Sequence, residues 1–281
     1  MRKIVISLII LSGYSLQASD FHSPRTLALG GSGHAGPLLN DAIFLNPSYS
    51  SFLPTYSMGM NYLAFSGDTS STNDPVSKGK NYSFSIQDGR SELFQAGAAY
   101  TVRGDGKFVH IGASKSFVNR FGFGLGGKFF FNDKDHTAGR DASFSTTSVL
   151  AEWMQASLIV DNIFETNEGK NRGLYREYTL GLKLNGKSMV MGYVDPHLCP
   201  NSSDGKKYGY EAGVEFVMMS DFFLRLGMFK NASIPFQAAR GRGYGAGVGW
   251  IAPRISFDYG FSRVIEPAIA TVHAMGATVY F

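Results

Sequence analysis

Most of the chain alternates apolar residues with small or polar ones, beginning near residue 55. In one such segment Tyr244, Ala246, Val248 and Trp250 alternate with four glycines. A period of two residues is that of a β-strand, whose successive side chains point to opposite faces of a sheet. The pattern predicts fourteen strands, at residues 55–66, 80–87, 94–103, 107–116, 121–131, 142–152, 155–163, 178–184, 187–195, 208–216, 222–228, 243–250, 254–262 and 271–281.

The links between the predicted strands differ in length in a regular way. If the first strand starts on the periplasmic side, the extracellular links are 67–79, 104–106, 132–141, 164–176, 196–206, 230–241 and 263–270. The periplasmic links are then 88–92, 117–120, 153–154, 185–186, 218–220 and 251–253. An even number of strands, short periplasmic turns and longer outer links are typical of outer-membrane β-barrels.

The composition agrees with a barrel. After the first 20 residues no segment approaches 18 consecutive apolar residues, so the sequence predicts no transmembrane helix. A membrane protein without such helices must close its strands into a barrel, because an open sheet edge leaves backbone groups unpaired in lipid. The chain has 34 glycines, 14% aromatic residues and only 17% charged residues. The predicted fold is all-β, a 14-stranded antiparallel transmembrane β-barrel formed by residues 54–281.

The N-terminus carries an export signal. Arg2 and Lys3 precede an apolar run from Ile4 to Leu11, and small residues follow as far as Ala18. This order is typical of a cleaved secretory signal peptide, here predicted as residues 1–18. The chain is therefore expected to leave the cytoplasm.

The C-terminus ends on two aromatic residues, Tyr280 and Phe281. A terminal Phe on an alternating strand resembles the signal by which Gram-negative outer-membrane barrels are recognised for insertion. We therefore expect an outer-membrane location, with membrane lipid and the barrel-insertion machinery as partners. Phe281 shares a strand face with Val279, and this face is predicted to contact lipid.

Charged residues fall on the strand face opposite to the apolar one. An Arg or Lys facing lipid near the membrane midplane would cost about 2–4 kcal/mol, so these side chains are predicted to face the lumen. They are Arg103, Lys128, Lys183, Glu211, Glu215, Arg225, Arg254 and Asp258. Two interpretations remain open: a polar path or plug-holding network, and a lumen filled by mutually paired charges.

Residues 19–53 do not alternate and carry a different motif. An Arg is followed by two glycines, an Asn-Asp-Ala step and an Asn-Pro pair. The residues are Arg25, Gly30, Gly31, Asn40, Asp41, Ala42, Asn46 and Pro47. This order resembles the N-terminal signature of the FadL/TodX superfamily of outer-membrane proteins, which includes PorV/PorQ-like members. The resemblance implies that residues 19–53 form a plug or hatch inside or beneath the barrel; a periplasmic tail is the alternative.

The resemblance also implies a function. By its resemblance to FadL-type proteins, the chain is expected to be a gated channel or transporter for small hydrophobic solutes. Such a solute is the predicted ligand. PorV-like members suggest the alternative of a non-transporting scaffold that binds secreted or surface proteins. The predicted outer links of about a dozen residues lack the long apolar loops that would collect a fatty acid. Transport of a smaller solute is therefore the preferred prediction.

Other functional classes have little support in the sequence. Gly31 to Gly36 matches a dinucleotide fingerprint, but neither a preceding βαβ strand nor the acidic ribose ligand is present. Cys199 is the single cysteine, and the six histidines show no metal-ligand spacing. Without Arg2 and Lys3 the chain carries 24 basic and 22 acidic residues, which gives no reason to expect a nucleic-acid partner. We predict no enzymatic activity, no cofactor and no metal.

Overall fold

The structure is a computed structural model that describes residues 21–67, 78–104, 106–133, 136–187, 189–219 and 221–281. The predicted signal peptide, residues 1–18, lies outside the described residues. In the described ranges no helix is both long and apolar enough to cross a membrane.

Fourteen antiparallel strands form the barrel wall, and the predicted fold class is confirmed. Each strand pairs with its neighbours in sequence, and the last strand pairs with the first, so the sheet has no free edge. The strands are β1 (Tyr56–Gly67), β2 (Gly79–Asp88), β3 (Gln95–Arg103), β4 (Gly106–Phe117), β5 (Phe121–Asn132), β6 (Ala138–Ala151), β7 (Met154–Asp161), β8 (Glu177–Gly186), β9 (Val190–Leu198), β10 (Tyr208–Met218), β11 (Phe222–Ile234), β12 (Gln237–Ile251), β13 (Ile255–Glu266) and β14 (Ala270–Tyr280).

The C-terminal residues take part in closing the barrel. Tyr280 pairs with Ser57 at one end of the β1–β14 ladder. The backbone N–H of Phe281 donates to the carbonyl of Tyr56 over 2.9 Å, and the two rings lie 5.8 Å apart. The final aromatic side chain is exposed on the outer face, beside Val279. The C-terminus therefore completes the wall.

The outer surface of the barrel is apolar, as the alternation predicts. On β5, Phe123 and Leu125 are exposed, whereas the alternating Gly122 and Gly124 are buried. Lys128, farther along the same inner face, is also buried. Leu125 retains 65% of its surface, far more than a soluble protein usually leaves to a large aliphatic residue in a strand. An apolar exterior around a polar interior is the arrangement that lipid requires.

Three of the predicted outer links are wrong in length. The link predicted at 263–270 reduces to residues 267–269, because β13 ends at Glu266 and β14 begins at Ala270. β11 continues to Ile234 and β12 begins at Gln237. The predicted link 230–241 therefore reduces to two residues. Register shifts between Lys230 and Ala232 and between Ser233 and Ile234 interrupt the two-residue period, which hides the strand from a pattern search. β6 begins at Ala138 rather than residue 142, because its first residues are small and polar yet still pair with β5.

The longer links that the structure describes are 162–176 and 199–207. The first contains a short helix, α3 (Asn167–Lys170), which is capped by the hydroxyl of Thr166. The alternation of long outer links and short periplasmic turns is therefore weaker than the sequence predicts, although the strand count and strand order are unchanged.

Residues 21–53, called the N-terminal segment below, precede β1 and form three short helical turns. These are α1 (Pro24–Ala28), α2 (Asp41–Leu45) and a 3-10 helix (Pro47–Phe52). The Ser23 hydroxyl accepts from the N–H of Thr26, and Pro24 occupies the first turn, where its missing N–H costs nothing. Most of the segment is buried, and none of its residues is fully exposed.

Candidate functional site

The N-terminal segment lies against the inner wall at glycines on opposite sides of the barrel. A β-carbon at Gly227 on β11 would lie 2.0 Å from the carbonyl carbon of Leu29. A β-carbon at Gly124 on β5 would lie 2.2 Å from the backbone nitrogen of Ser48. Any larger residue would collide with the backbone of the segment. The glycines that alternate along these strands therefore provide the space that the segment occupies.

The two motif glycines make equally close contacts from the segment side. Gly30 and Gly31 have positive φ angles of 67° and 92°, which side chains with a β-carbon rarely adopt. A β-carbon at Gly30 would lie 2.6 Å from the backbone nitrogen of Met228, and one at Gly31 would lie 2.6 Å from a carboxylate oxygen of Glu211. This part of the motif brings the segment backbone into direct contact with β10 and β11.

The motif asparagines bind inward-facing hydroxyl groups of the wall. Asn40 donates to the Ser85 hydroxyl over 2.8 Å and accepts from Ser57. Asn46 is fully buried and donates to the Thr147 hydroxyl over 2.9 Å. Pro47 starts the 3-10 helix that follows. These bonds attach the second half of the segment to β1, β2 and β6.

Arg25 joins the segment to a buried row of charges. Its Nε lies 3.2 Å from a Glu215 oxygen, and its Nη2 donates to the Tyr193 hydroxyl over 2.9 Å. The same Glu215 oxygen accepts from Arg225 Nε over 2.5 Å, and Arg225 Nη1 in turn donates to Asp258 over 2.5 Å. Arginine and carboxylate thus alternate from the segment through β10 and β11 to β13. Both Glu215 and Arg225 are fully buried.

A second polar group lies where residues 33–34 of the segment meet β9. Both Gly33 N–H (2.7 Å) and His34 N–H (2.9 Å) donate to one oxygen of Asp195. The Nδ1 of His34 also lies 2.9 Å from that oxygen and 3.7 Å from Glu211 Oε2. Burial lowers the pKa of His34, but the hydrogen bond and charge of Asp195, together with Glu211, outweigh burial and raise it to about 9.

Asp195, Tyr193 and His34 are absent from the residues predicted by sequence. His34 belongs to a segment without periodicity. Asp195 is the last residue of the predicted strand 187–195 and follows its alternation, between Val194 on the outer face and Pro196. Applying the two-residue period to the end of that strand would therefore have placed its carboxylate in the lumen.

The remaining predicted lumen charges have different surroundings. Lys128 lies 2.5 Å from Asp161 and is buried, and the guanidinium of Arg103 lies 4.8 Å from the ring centre of Phe108. Lys183 lies beside Gly36 of the segment, with its side chain partly buried. Arg254 differs from the prediction: it is exposed in the turn before β13, because that strand begins at Ile255.

A cavity of about 80 Å³ lies beside the segment. Phe21, Phe44 and Leu174 contribute apolar surface, and Glu177 and Glu211 contribute carboxylates. Phe21 and Phe44 are in ring contact at 5.2 Å. The cavity therefore combines an aromatic wall with a small number of polar groups, as small-molecule sites commonly do.

Comparison with known proteins yields structural matches only. No protein-family model matches the chain, and no curated protein matches its sequence. The solved "CymD monoaromatic hydrocarbon channel" superimposes with a TM-score of 0.69 at 9% identity, covering 92% of this chain and 97% of that one. The Ralstonia pickettii toluene transporter TbuX gives a TM-score of 0.64 at 10% identity, with coverage of 95% and 100%. The Pseudomonas putida toluene transporter TodX gives 0.61 at 12% identity, with coverage of 95% and 98%.

The chain shares the barrel fold of these solved structures. The near-complete coverage of both chains in each match agrees with a common fold. Identities of 9–12% carry the fold and no site residue, so the roles of the residues described above rest on their own contacts.

The carboxyl of Asp41 is a pH-sensitive contact in the segment. Burial raises its pKa from 3.8 to about 6, and the negative charge of Asp258 acts in the same direction. The charges of Arg25 and Arg225 and a hydrogen bond from Ser23 favour the ionised form but do not outweigh burial. Because the pKa is higher in the folded state, Asp41 stabilises the packed segment fully below pH 3.8. This stabilisation is lost as the pH rises through about 6.

We therefore expect the segment to be displaced more often at pH 7 than at pH 4. Asp41→Asn should reduce this dependence, because the amide cannot ionise yet still accepts from Ser23. The measurement is the rate of proteolysis within residues 21–53 of the purified protein across this pH range. Asp133→Asn, in the exposed link after β5, is the matched control and should keep the dependence. An identical pH profile for Asp41→Asn and the unaltered protein would contradict the assignment.

Proposed function

We propose that the protein is a gated outer-membrane channel for small, mainly apolar solutes, in which the N-terminal segment is the gate. The observation that carries the proposal is the segment itself, which packs on glycines of β5, β11, β12 and β13 within a closed barrel. In this position the segment takes up space inside the barrel wall. Movement of the segment is then the step that opens a path.

The contacts of the segment suit a reversible gate. They are hydrogen bonds and ion pairs to inward-facing side chains, such as those of Asn46 with Thr147 and Arg25 with Glu215. Each can be exchanged for a bond to water when the segment moves, so displacement does not leave polar groups unpaired. The barrel wall has its own ladder of backbone bonds and remains closed when the segment leaves.

The solute class follows from the cavity and from the structural neighbours together. The aromatic contact of Phe21 with Phe44 lines the cavity, and the neighbours named above are described as toluene transporters or monoaromatic hydrocarbon channels. A planar aromatic molecule would stack on such rings. We infer a small aromatic or aliphatic solute of this size class, rather than a fatty acid.

We also propose how the protein reaches the outer membrane. The protein is exported through the signal peptide predicted at residues 1–18 and inserted by the barrel-insertion machinery through the strand that ends at Phe281. Its apolar outer face then contacts membrane lipid. The PorV-like scaffold remains the alternative prediction, and the test below separates it from transport.

Uptake into liposomes tests the proposal. Protein reconstituted into liposomes with a lipopolysaccharide outer leaflet, which slows apolar solutes, should accelerate the entry of toluene severalfold over the same liposomes without protein. It should not accelerate the entry of a sugar. The physical reason is that the aromatic wall of the cavity favours an apolar solute, while the segment excludes bulk water. Toluene entry equal to that of empty liposomes, combined with stable capture of a secreted protein, would support the scaffold instead.

A further inference from the structure

Three potential metal ligands from separate parts of the chain converge in the lumen. They are His34 of the N-terminal segment, Asp195 of β9 and Glu211 of β10. One ligand atom from each lies within 4.8 Å of the other two. His34 Nδ1 is 2.9 Å from Asp195 Oδ2 and 3.7 Å from Glu211 Oε2. Ligands about 2.1 Å from a metal ion are roughly 3.0–4.2 Å from one another, so these separations suit coordination after a small movement.

Glu211 supplies an independent observation. Its Oε2 is buried and has no hydrogen-bond partner among the described residues, although a buried carboxylate oxygen normally has one. The side chain is only 8% exposed and lines the cavity of about 80 Å³, as does His34. A cavity measured in this way needs only about 10–15 Å³ to hold one water, so there is room for an ion with bound water. The unpartnered oxygen therefore points to a missing ligand.

The local charge favours a cation. Asp195 and Glu211 are two buried carboxylates, and His34 is the basic side chain within ion-pair distance of both. The neighbouring carboxylate of Glu177 is paired with Arg240. A proton on His34 would offset one of the two negative charges, whereas a divalent cation would offset both. Buried charges without such compensation are costly.

We infer that His34, Asp195 and Glu211 bind a divalent transition-metal ion that fastens the N-terminal segment to the barrel wall. One imidazole and two carboxylates suit Zn²⁺ or Mn²⁺, whereas Ca²⁺ prefers six to eight oxygen ligands and Mg²⁺ keeps several waters. The Asp195 carboxylate is already oriented by the N–H groups of Gly33 and His34, which is the role of an outer hydrogen-bond shell in metal sites. The ion would thus connect the segment to β9 and β10.

Calorimetry on the full-length protein, purified without a histidine tag and treated with a chelator, tests the site. Zn²⁺ or Mn²⁺ should bind at one ion per chain, and Ca²⁺ should bind far more weakly. His34→Gln and Glu211→Gln should each weaken binding on the order of 100-fold, because loss of a ligand costs at least as much as loss of an outer-shell partner. His136→Gln, at an exposed position in the link after β5, is the matched control and should bind normally.

A second measurement separates loss of the site from loss of the fold. Each variant should still migrate as a compact barrel in an unboiled gel, and metal should slow proteolysis of residues 21–53 in the unaltered protein but not in His34→Gln. The absence of one-to-one binding, or equal affinity in His34→Gln and the unaltered protein, would overturn the inference.

Discussion

Arg225→Met is expected to lower the free energy of unfolding by about 3–5 kcal/mol. Arg225 is fully buried and bridges Glu215 and Asp258. Removing one member of a buried ion pair leaves a desolvated charge, and that is why the cost is large. Arg25 still contacts Glu215, so we expect the lower part of this range. The measurement is denaturant unfolding in detergent micelles.

Two comparisons make this prediction specific. Arg254→Met removes an exposed arginine from the turn before β13 and should change stability by no more than about 0.5 kcal/mol. Glu215→Gln combined with Arg225→Met should cost less than the sum of the two single changes, because the pair interacts directly. Additive costs, or equal effects at Arg225 and Arg254, would show that the buried row does not act as a unit.

Gly227→Ala is expected to weaken the packing of the N-terminal segment by about 1–3 kcal/mol, which corresponds to a roughly 5- to 150-fold increase in the displaced population. The added β-carbon would lie 2.0 Å from the carbonyl carbon of Leu29, so the segment backbone must move. The measurement is channel conductance in planar bilayers, with the rate of proteolysis within residues 21–53 as a second observable.

Gly192→Ala is the matched control for this change. Gly192 lies near the start of β9, on the outer face with Val194, and an added β-carbon would meet nothing within 4 Å. The two substitutions carry the same loss of backbone freedom and differ in the contact with the segment. If both leave conductance and proteolysis unchanged, the segment does not depend on this contact and the gate proposal loses its main support.

The barrel could be predicted because its determinants are local. A two-residue alternation identifies a strand without knowledge of its partners, and the fourteen strands of the structure were each anticipated, including β5 and β12. Errors occurred where the period is interrupted. The bulges near Lys230 and Ser233 and the polar start of β6 removed the signal, although backbone pairing continues through all three places.

For the charged residues of the candidate site, the sequence predicted which face they lie on but not which residues they contact. Their placement on the inner face followed from the lipid cost of a charge and from the strand period, as for Glu215 and Arg225. Their partners did not follow, because Arg25 and Glu215 are 190 positions apart and no local pattern relates them. For the same reason the contact between Asp195 and His34, 161 positions apart, was not anticipated.

The sequence by itself therefore determined the all-β class, the number and order of strands, the face of each strand and the resemblance of residues 25–47 to the FadL-type motif. Periodicity and short motifs depend on neighbouring residues, and these are visible in a single chain. Only the tertiary structure decided that Gly30 and Gly31 contact β11 and β10, that Arg25 joins a row of alternating charges, and that His34, Asp195 and Glu211 meet in one cavity. Those contacts arise when the closed barrel brings distant strands around the segment, and the curvature of the wall sets their distances.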